Sequence, residues 1–225
     1  MEISRGEPHG WVADPGDRKF ILDRSVWKDY PSLMARHKEF DRDTALTAAI
    51  NVFSEHGYEG TSTDELLAAM KISRQSMYDT FGGKRRLYLE ALRRYNTASV
   101  SMLIADLRRE TSPVKALEGA LLAFASRPAS EASRCCLGVS AVCEFGRTDT
   151  DVVQLTDSAS RMLGAAVEAI VEDGKKAGDV STDIDTSEAV HFFGATLSGM
   201  KVSARNGASE DTLRGIACMA IRSLR

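Results

Sequence analysis

The sequence predicts an all-α fold, and three observations carry that prediction. Apolar residues recur at helical spacing through nearly all of residues 41–223, and no run shows the strict alternation of a half-buried strand. Only five prolines are spread over 225 residues, which leaves room for long helices. Glycines and capping residues then punctuate the chain at the intervals expected of helix ends.

Residues 1–33 differ from the rest. They hold both tryptophans and three of the five prolines without sustained periodicity, and read as a flexible N-terminal extension. Met34, followed by Ala-Arg-His-Lys-Glu-Phe, reads as a natural start for the ordered part. From about 41 to 56 a first helix is expected, with Leu46, Ala49, Ile50 and Phe53 on one face and Gly57 as its stop. Ser62-Thr63-Asp64-Glu65 is a capping box opening a second helix that carries Leu66, Leu67 and Met70. Ser73 can cap a third helix, through Phe81. After Gly82-Gly83 a long helix runs from Lys84 to about Arg109, with Tyr88, Leu92 and Tyr95 on one side.

Pro113 suits the first turn of a helix ending near Ser126. A short apolar helix follows from Cys136 to about Phe145. A long one runs from Asp149 to about Ala177, with Leu155, Ala159, Met162, Ala166 and Ile170 sharing a face and Gly178 as its end. Two periodic helices, about 186–204 and 209–223, close the chain.

Composition bounds the function. Hydrophobic residues make up 43% and charged residues 27%, as in a soluble globular protein, and no apolar run reaches the length of a membrane span. The first residues lack the basic-then-apolar pattern of a secretory signal, so cytoplasmic residence, reduced thiols and no membrane partner are expected. The net charge of −3 argues against indiscriminate coating of nucleic acid. Residues 34–95 carry ten Lys/Arg against nine Asp/Glu, whereas residues 96–225 carry fourteen against seventeen, so the least acidic part is the one around the two short helices.

Residues 62–81 have the spacing of a helix-turn-helix. The stretch HGYEGTSTDELLAAMKISRQSMYDTFGGKRRLYLEAL closely resembles the N-terminal domain of tetracycline-repressor (TetR) family regulators. Gly57, Thr61-Ser62, Ala69-Met70-Ile72-Ser73, Tyr78, Phe81 and Lys84 occupy the positions of that family's pattern, with Lys71 in place of its usual glycine. The match covers roughly residues 42–92. The resemblance implies a helix-turn-helix DNA-binding domain at 34–86, then a ligand-binding and dimerisation domain at 87–225. It implies a homodimeric transcriptional regulator whose partners are a double-stranded DNA operator, a small effector and itself. Most simply it is a repressor released from a palindromic operator by that effector. No cofactor is expected.

On this resemblance residues 74–81 form the recognition helix. Arg74 can donate twice to guanine and Gln75 can pair twice with adenine. Ser73, Ser76, Tyr78, Thr61 and Thr63 suit phosphate, and Lys84 matches a position that reaches the DNA backbone from a helix start. Arg85 and Arg86 are either part of that contact or a solvated face. Met77 and Phe81 read as core and Asp79 as structural, though its carboxylate could accept from a cytosine amino group.

The last two helices suit pairing into a four-helix bundle, with Phe193, Leu197, Met200, Leu213, Ala217 and Ala220 as the expected dimerisation face, although intramolecular packing would leave the same pattern. Candidate cavity residues are Met102, Leu103, Phe124, Cys143, Met162 and Phe192. His191 reads as a structural histidine. Cys136, in the first turn of its helix and near Arg134, is a candidate sensor thiol, with Cys135 and Cys143 as resolving partners; ordinary packing is the alternative. A catalytic role is not expected: the chain has no HExxH, GxSxG, P-loop or CxxC motif, and no metal site is assigned.

Overall fold

The computed structural model describes residues 40–127 and 136–225. The expected extension over 1–33, the start at Met34, and Arg134 and Cys135 lie outside the described residues. Among the described residues every regular element is a helix: α1 (Arg42–His56), α2 (Thr63–Met70), α3 (Arg74–Phe81), α4 (Lys84–Leu107), α5 (Pro113–Ala125), α6 (Leu137–Phe145), α7 (Thr150–Ala177), α8 (Thr186–Arg205) and α9 (Glu210–Arg222).

The helix ends follow local chemistry. Asp41 caps α1 by accepting from the Thr44 N–H, and the capping box of α2 is complete. The Ser62 N–H donates to Glu65 Oε2 at 2.7 Å and the Glu65 N–H to Ser62 Oγ at 3.1 Å. Ser73 accepts from the Ser76 N–H to open α3. Gly82 closes α3 at φ 76°, and Gly83, at φ 105°, turns the chain into α4 without a side-chain cap. Both angles favour glycine. Lys71 sits at φ 55° in the left-handed region, at the C-cap of α2, where the resembling family carries glycine.

Two apolar clusters form the interior. The first joins α1, α2, α3, the N-terminal half of α4 and part of α6 around Phe53, Leu66, Met77, Tyr88 and Leu137, each fully buried or nearly so. Each such side chain contributes about 1.5–3 kcal/mol by leaving water, which is what holds the two short helices α2 and α3 in place. The second cluster joins the C-terminal half of α4 to α5, α7, α8 and α9. Helix α4, about 36 Å long, belongs to both, so the expected domain boundary at residue 86 falls inside its first turn.

Candidate functional site

The helix-turn-helix presents its polar side chains on an exposed surface formed by the start of α2 and all of α3. Arg74 is more than half exposed and donates from Nη2 to Asp64 Oδ1 at 2.6 Å, across the start of α2. The guanidinium has five donors, so this pairing orients it while leaving others for a base edge. Gln75 donates from Nε2 to Asp79 Oδ1 at 2.7 Å, one turn on. That bond fixes the amide's direction and leaves its oxygen and second N–H available. Asp79, read as structural, is exposed and accepts this bond. Tyr78 is 52% exposed. Ser73 and Ser76 bond each other through their hydroxyls at 2.8 Å as part of the α3 cap. Thr63 is half-buried at the first position of α2.

Thr61 departs from its expected place on this surface. It is 1% exposed, and its hydroxyl donates to the Gly57 carbonyl at 2.6 Å. A hydroxyl enclosed and committed in that way ties the α1–α2 turn together, and its side chain is not on the surface with the others. The three cations opening α4 also separate. Lys84 lays its ammonium over the Tyr58 ring at 4.3 Å, against the same turn. Arg85 pairs with Asp149 at 2.7 Å and Asp151 at 3.3 Å, so it ties α4 to the start of α7. In this arrangement Arg85 is engaged within the protein rather than being a purely solvated side chain. Arg86 is exposed, with its side chain against Gly82.

The α1–α2 turn is held from the other side by α6. Glu144 accepts the backbone N–H of Tyr58 at 2.9 Å and that of Glu59 at 2.6 Å. Phe145 packs against the rings of Tyr58 and Tyr88, each at 5.7 Å between centroids, and Tyr88 lies 4.9 Å from Tyr58. Burial of Tyr88 pushes its phenol well above the usual range, so it stays neutral.

Another face of α6 lines a cavity of about 920 Å³ bounded by α4, α6, α7 and α8. Cys136, Gly138, Val139, Val142 and Cys143 come from the α6 segment, Tyr95, Asn96 and Ser99 from α4, and Lys201 from α8. Of the six residues expected here, Cys143 is on the wall. Leu103 and Phe124 are buried in the second apolar cluster, while Met102, Met162 and Phe192 are exposed elsewhere, at 51%, 48% and 42%. On α7 the fully buried side chains are Val152, Val167 and Val171; Leu155, Ala166 and Ile170 of the expected stripe are half-buried against the two clusters, and Met162 is exposed. Periodicity locates a face but not which of two adjacent stripes is inward. His191 is also on the cavity wall.

Cys136 is the N-cap of α6 rather than a member of its first turn. Burial pushes its thiol up, but the Lys201 ammonium, the Tyr95 hydroxyl and the N–H groups of Val139 and Gly138 outweigh that, and the net direction is downward.

The six residues expected at a dimer interface are all inside the protomer: Phe193, Leu197, Met200, Leu213, Ala217 and Ala220 belong to the second cluster. A side chain enclosed within one chain cannot also meet a partner's. The exposed stripe on α8 is instead Phe192, Ala195, Gly199 and Val202, beside Gly215 and Met219 of α9. A Cβ added at Gly199 or Gly215 would meet nothing within 4 Å.

Comparison with known proteins agrees with this architecture. The sequence profile described as bacterial regulatory proteins, tetR family, matches residues 45–91, and that of a tetracyclin repressor-like C-terminal domain matches residues 112–218. The HTH-type transcriptional regulator YezE of Bacillus subtilis is 55% identical over 62 residues, a match spanning 28% of this chain and 32% of that protein. The HTH-type transcriptional repressor ComR of Escherichia coli is 28% identical over 189 residues, 83% of this chain and 90% of its own. Among solved structures, a cysteine mutant of the TetR family regulator CifR, complexed with a 26-bp double-strand operator DNA, superposes with a TM-score of 0.74 at 27% identity, over 84% of this chain and all of that one.

Proposed function

This chain belongs to the TetR family of DNA-binding transcriptional regulators, and from that premise we propose that it is a homodimeric repressor. In this reading it leaves a palindromic operator when a small effector fills the cavity between α4, α6, α7 and α8. The similarity to the repressor ComR supports the sign of the regulation. The observation that carries the coupling is the placement of α6. One face of this short helix lines the cavity from Cys136 to Cys143, and its C-terminal end holds the turn before α2 through Glu144 and Phe145. A ligand that displaces α6 then displaces the first reading helix. By linkage, an effector that favours that arrangement weakens DNA binding by the same coupling free energy.

In the proposed complex, Arg74 and Gln75 read base edges while Thr63, Ser73, Ser76, Tyr78 and Lys84 address the backbone. Pairing places the Phe192, Ala195, Gly199, Val202 and Met219 stripe against its symmetry mate, since large exposed side chains flank glycines that allow close approach.

A second reading makes Cys136 the sensor. It is favoured by the thiol's place on the cavity wall and by the cation and hydroxyl that lower its pKa. The thiolate adds to a ring carbon of a quinone, the ring carbonyl takes the electron pair, and a proton from solvent completes the adduct. The two readings separate when the operator-bound protein is titrated with benzoquinone beside Cys136→Ser. Release of the native protein alone supports the thiol. Equal behaviour of both proteins assigns release to a non-covalent effector. A protein that shifts no DNA fragment in any state contradicts the repressor reading itself.

A further inference from the structure

Within the cavity, the polar groups are not evenly distributed. Asn96 lies on the wall in the middle of α4 and is 8% exposed, yet its Nδ2 donates to nothing among the described residues. A buried amide donor without an acceptor costs about 1–3 kcal/mol and calls for an explanation. Its position is enforced. A Cβ on Gly138 would stand 2.9 Å from Asn96 Oδ1 and 3.8 Å from Cys136 Sγ, so only glycine lets the amide and the thiol share that corner. Lys201 lies on the same wall and makes no ion pair among the described residues. The first N–H groups of α6 open beside Cys136, at the positive end of that helix's dipole.

Three kinds of donor therefore converge at one end of the cavity. The carboxylate that also lines it, Glu168, is at the far end: α7 and α8 are antiparallel, with Thr186 bonded to Glu172 and Gly164 against Val190. Along α8, Lys201 is about 16–21 Å from the level of Val190 and Ser187, where Glu168 lies. The wall between is mainly apolar, formed by Val139, Val142, Leu163, Phe193 and Leu197, and is interrupted by Ser160, Arg161, His191 and Ser198.

We propose that the effector is an amphipathic organic carboxylate whose anionic oxygens are held by Lys201, Asn96 and the N-terminus of α6, with its apolar body along α7 and α8. This rests on the cavity being the effector site, and names the chemistry it takes. The carboxylate supplies the acceptor that Asn96 lacks and the counter-charge that Lys201 lacks, and the volume suits a drug-sized molecule. Because its charge lies beside Cys136, the thiol becomes harder to ionise when the site is filled.

The experiment uses the full chain and two graded series, the straight-chain acids from hexanoate to dodecanoate with 1-naphthoate, and their neutral primary amides. Binding is read by calorimetry, and Cys136 by its rate of alkylation with iodoacetamide. The acids should bind at least about tenfold tighter than the matching amides. Lys201→Gln should abolish that preference and Lys201→Arg should keep it. A saturating acid should slow Cys136 alkylation several-fold. Equal binding of acid and amide, no binding of any acid at millimolar concentration, or an acid preference untouched by Lys201→Gln each overturns the proposal. Release of operator DNA by an amide or by benzoquinone would do so too, while leaving the effector-release reading standing.

Discussion

Replacing Glu144 with alanine tests the connection between α6 and the reading helices. The carboxylate accepts two backbone N–H groups, from Tyr58 at 2.9 Å and Glu59 at 2.6 Å, in a turn with no regular secondary structure. A hydrogen bond to a charged acceptor contributes about 1.5–3 kcal/mol when enclosed. Glu144 is exposed, so solvent screening reduces each to about 0.5–1 kcal/mol. Glu144→Ala should therefore cost about 1–2 kcal/mol, and lower the melting temperature by about 2–8 °C for a chain of this size. The loss should be local. Amide hydrogen exchange should accelerate at Tyr58 and Glu59 and through α2, and stay unchanged in α9, whose core neighbours lie in the other apolar cluster. Glu144→Gln, which keeps an acceptor oxygen without the charge, should fall between. An unchanged melting temperature together with unchanged exchange at Tyr58 and Glu59 would refute the clamp.

Three further outcomes follow from named contacts. Lys71→Gly should stabilise the protein by about 0.5–1 kcal/mol in urea titrations, since it relieves a left-handed backbone at an exposed C-cap. The Phe192→Asp, Met219→Asp pair should give a monomer in light scattering with helical content intact, whereas Leu197→Asp should unfold the chain; a folded dimer carrying both aspartates would contradict the proposed stripe. The hydrogen bond from Arg85, reinforced by the N–H groups of Val152 and Asp151, holds the Asp149 carboxyl below the usual carboxylate range. Because the folded-state pKa is the lower one, this contribution is complete above the unfolded pKa and is lost as pH falls from ~5 toward 3. Asp149→Asn should flatten that part of the stability–pH curve, measured by urea midpoints, and an unaltered curve would remove the pair from the account.

Much of this fold was legible in the sequence because its helix ends are made by local chemistry. Ser62 with Glu65, Ser73, Pro113 and Gly178 each act within a few residues, and the structure places helix ends within one or two residues of them. The choice between two neighbouring apolar stripes was not legible. On α8 the sequence offers Phe193-Leu197-Met200 and Phe192-Ala195-Gly199-Val202, and only tertiary packing decides which faces the core. Long-range partners were hidden as well. Arg85 meets Asp149 across 64 positions, and Glu144 meets Tyr58 across 86. Asn96 did carry a signal: it interrupts the apolar spacing of Leu92, Val100 and Leu103, as a buried polar group with a task would. Thr61 carried none, since a threonine before an N-cap looks the same whether its hydroxyl faces phosphate or the Gly57 carbonyl.

Reading of DNA sequence by α3 on paired half-sites is checked by selecting bound duplexes from a random pool and repeating the selection with Arg74→Ala. The native protein should enrich a palindromic motif. The variant should bind more weakly by about 1–3 kcal/mol, with preference relaxed at one base pair in each half-site and kept at the others. An unchanged motif with a uniform loss on every sequence would contradict Arg74 as a base reader, and no enriched motif at all would contradict sequence-specific recognition by this helix.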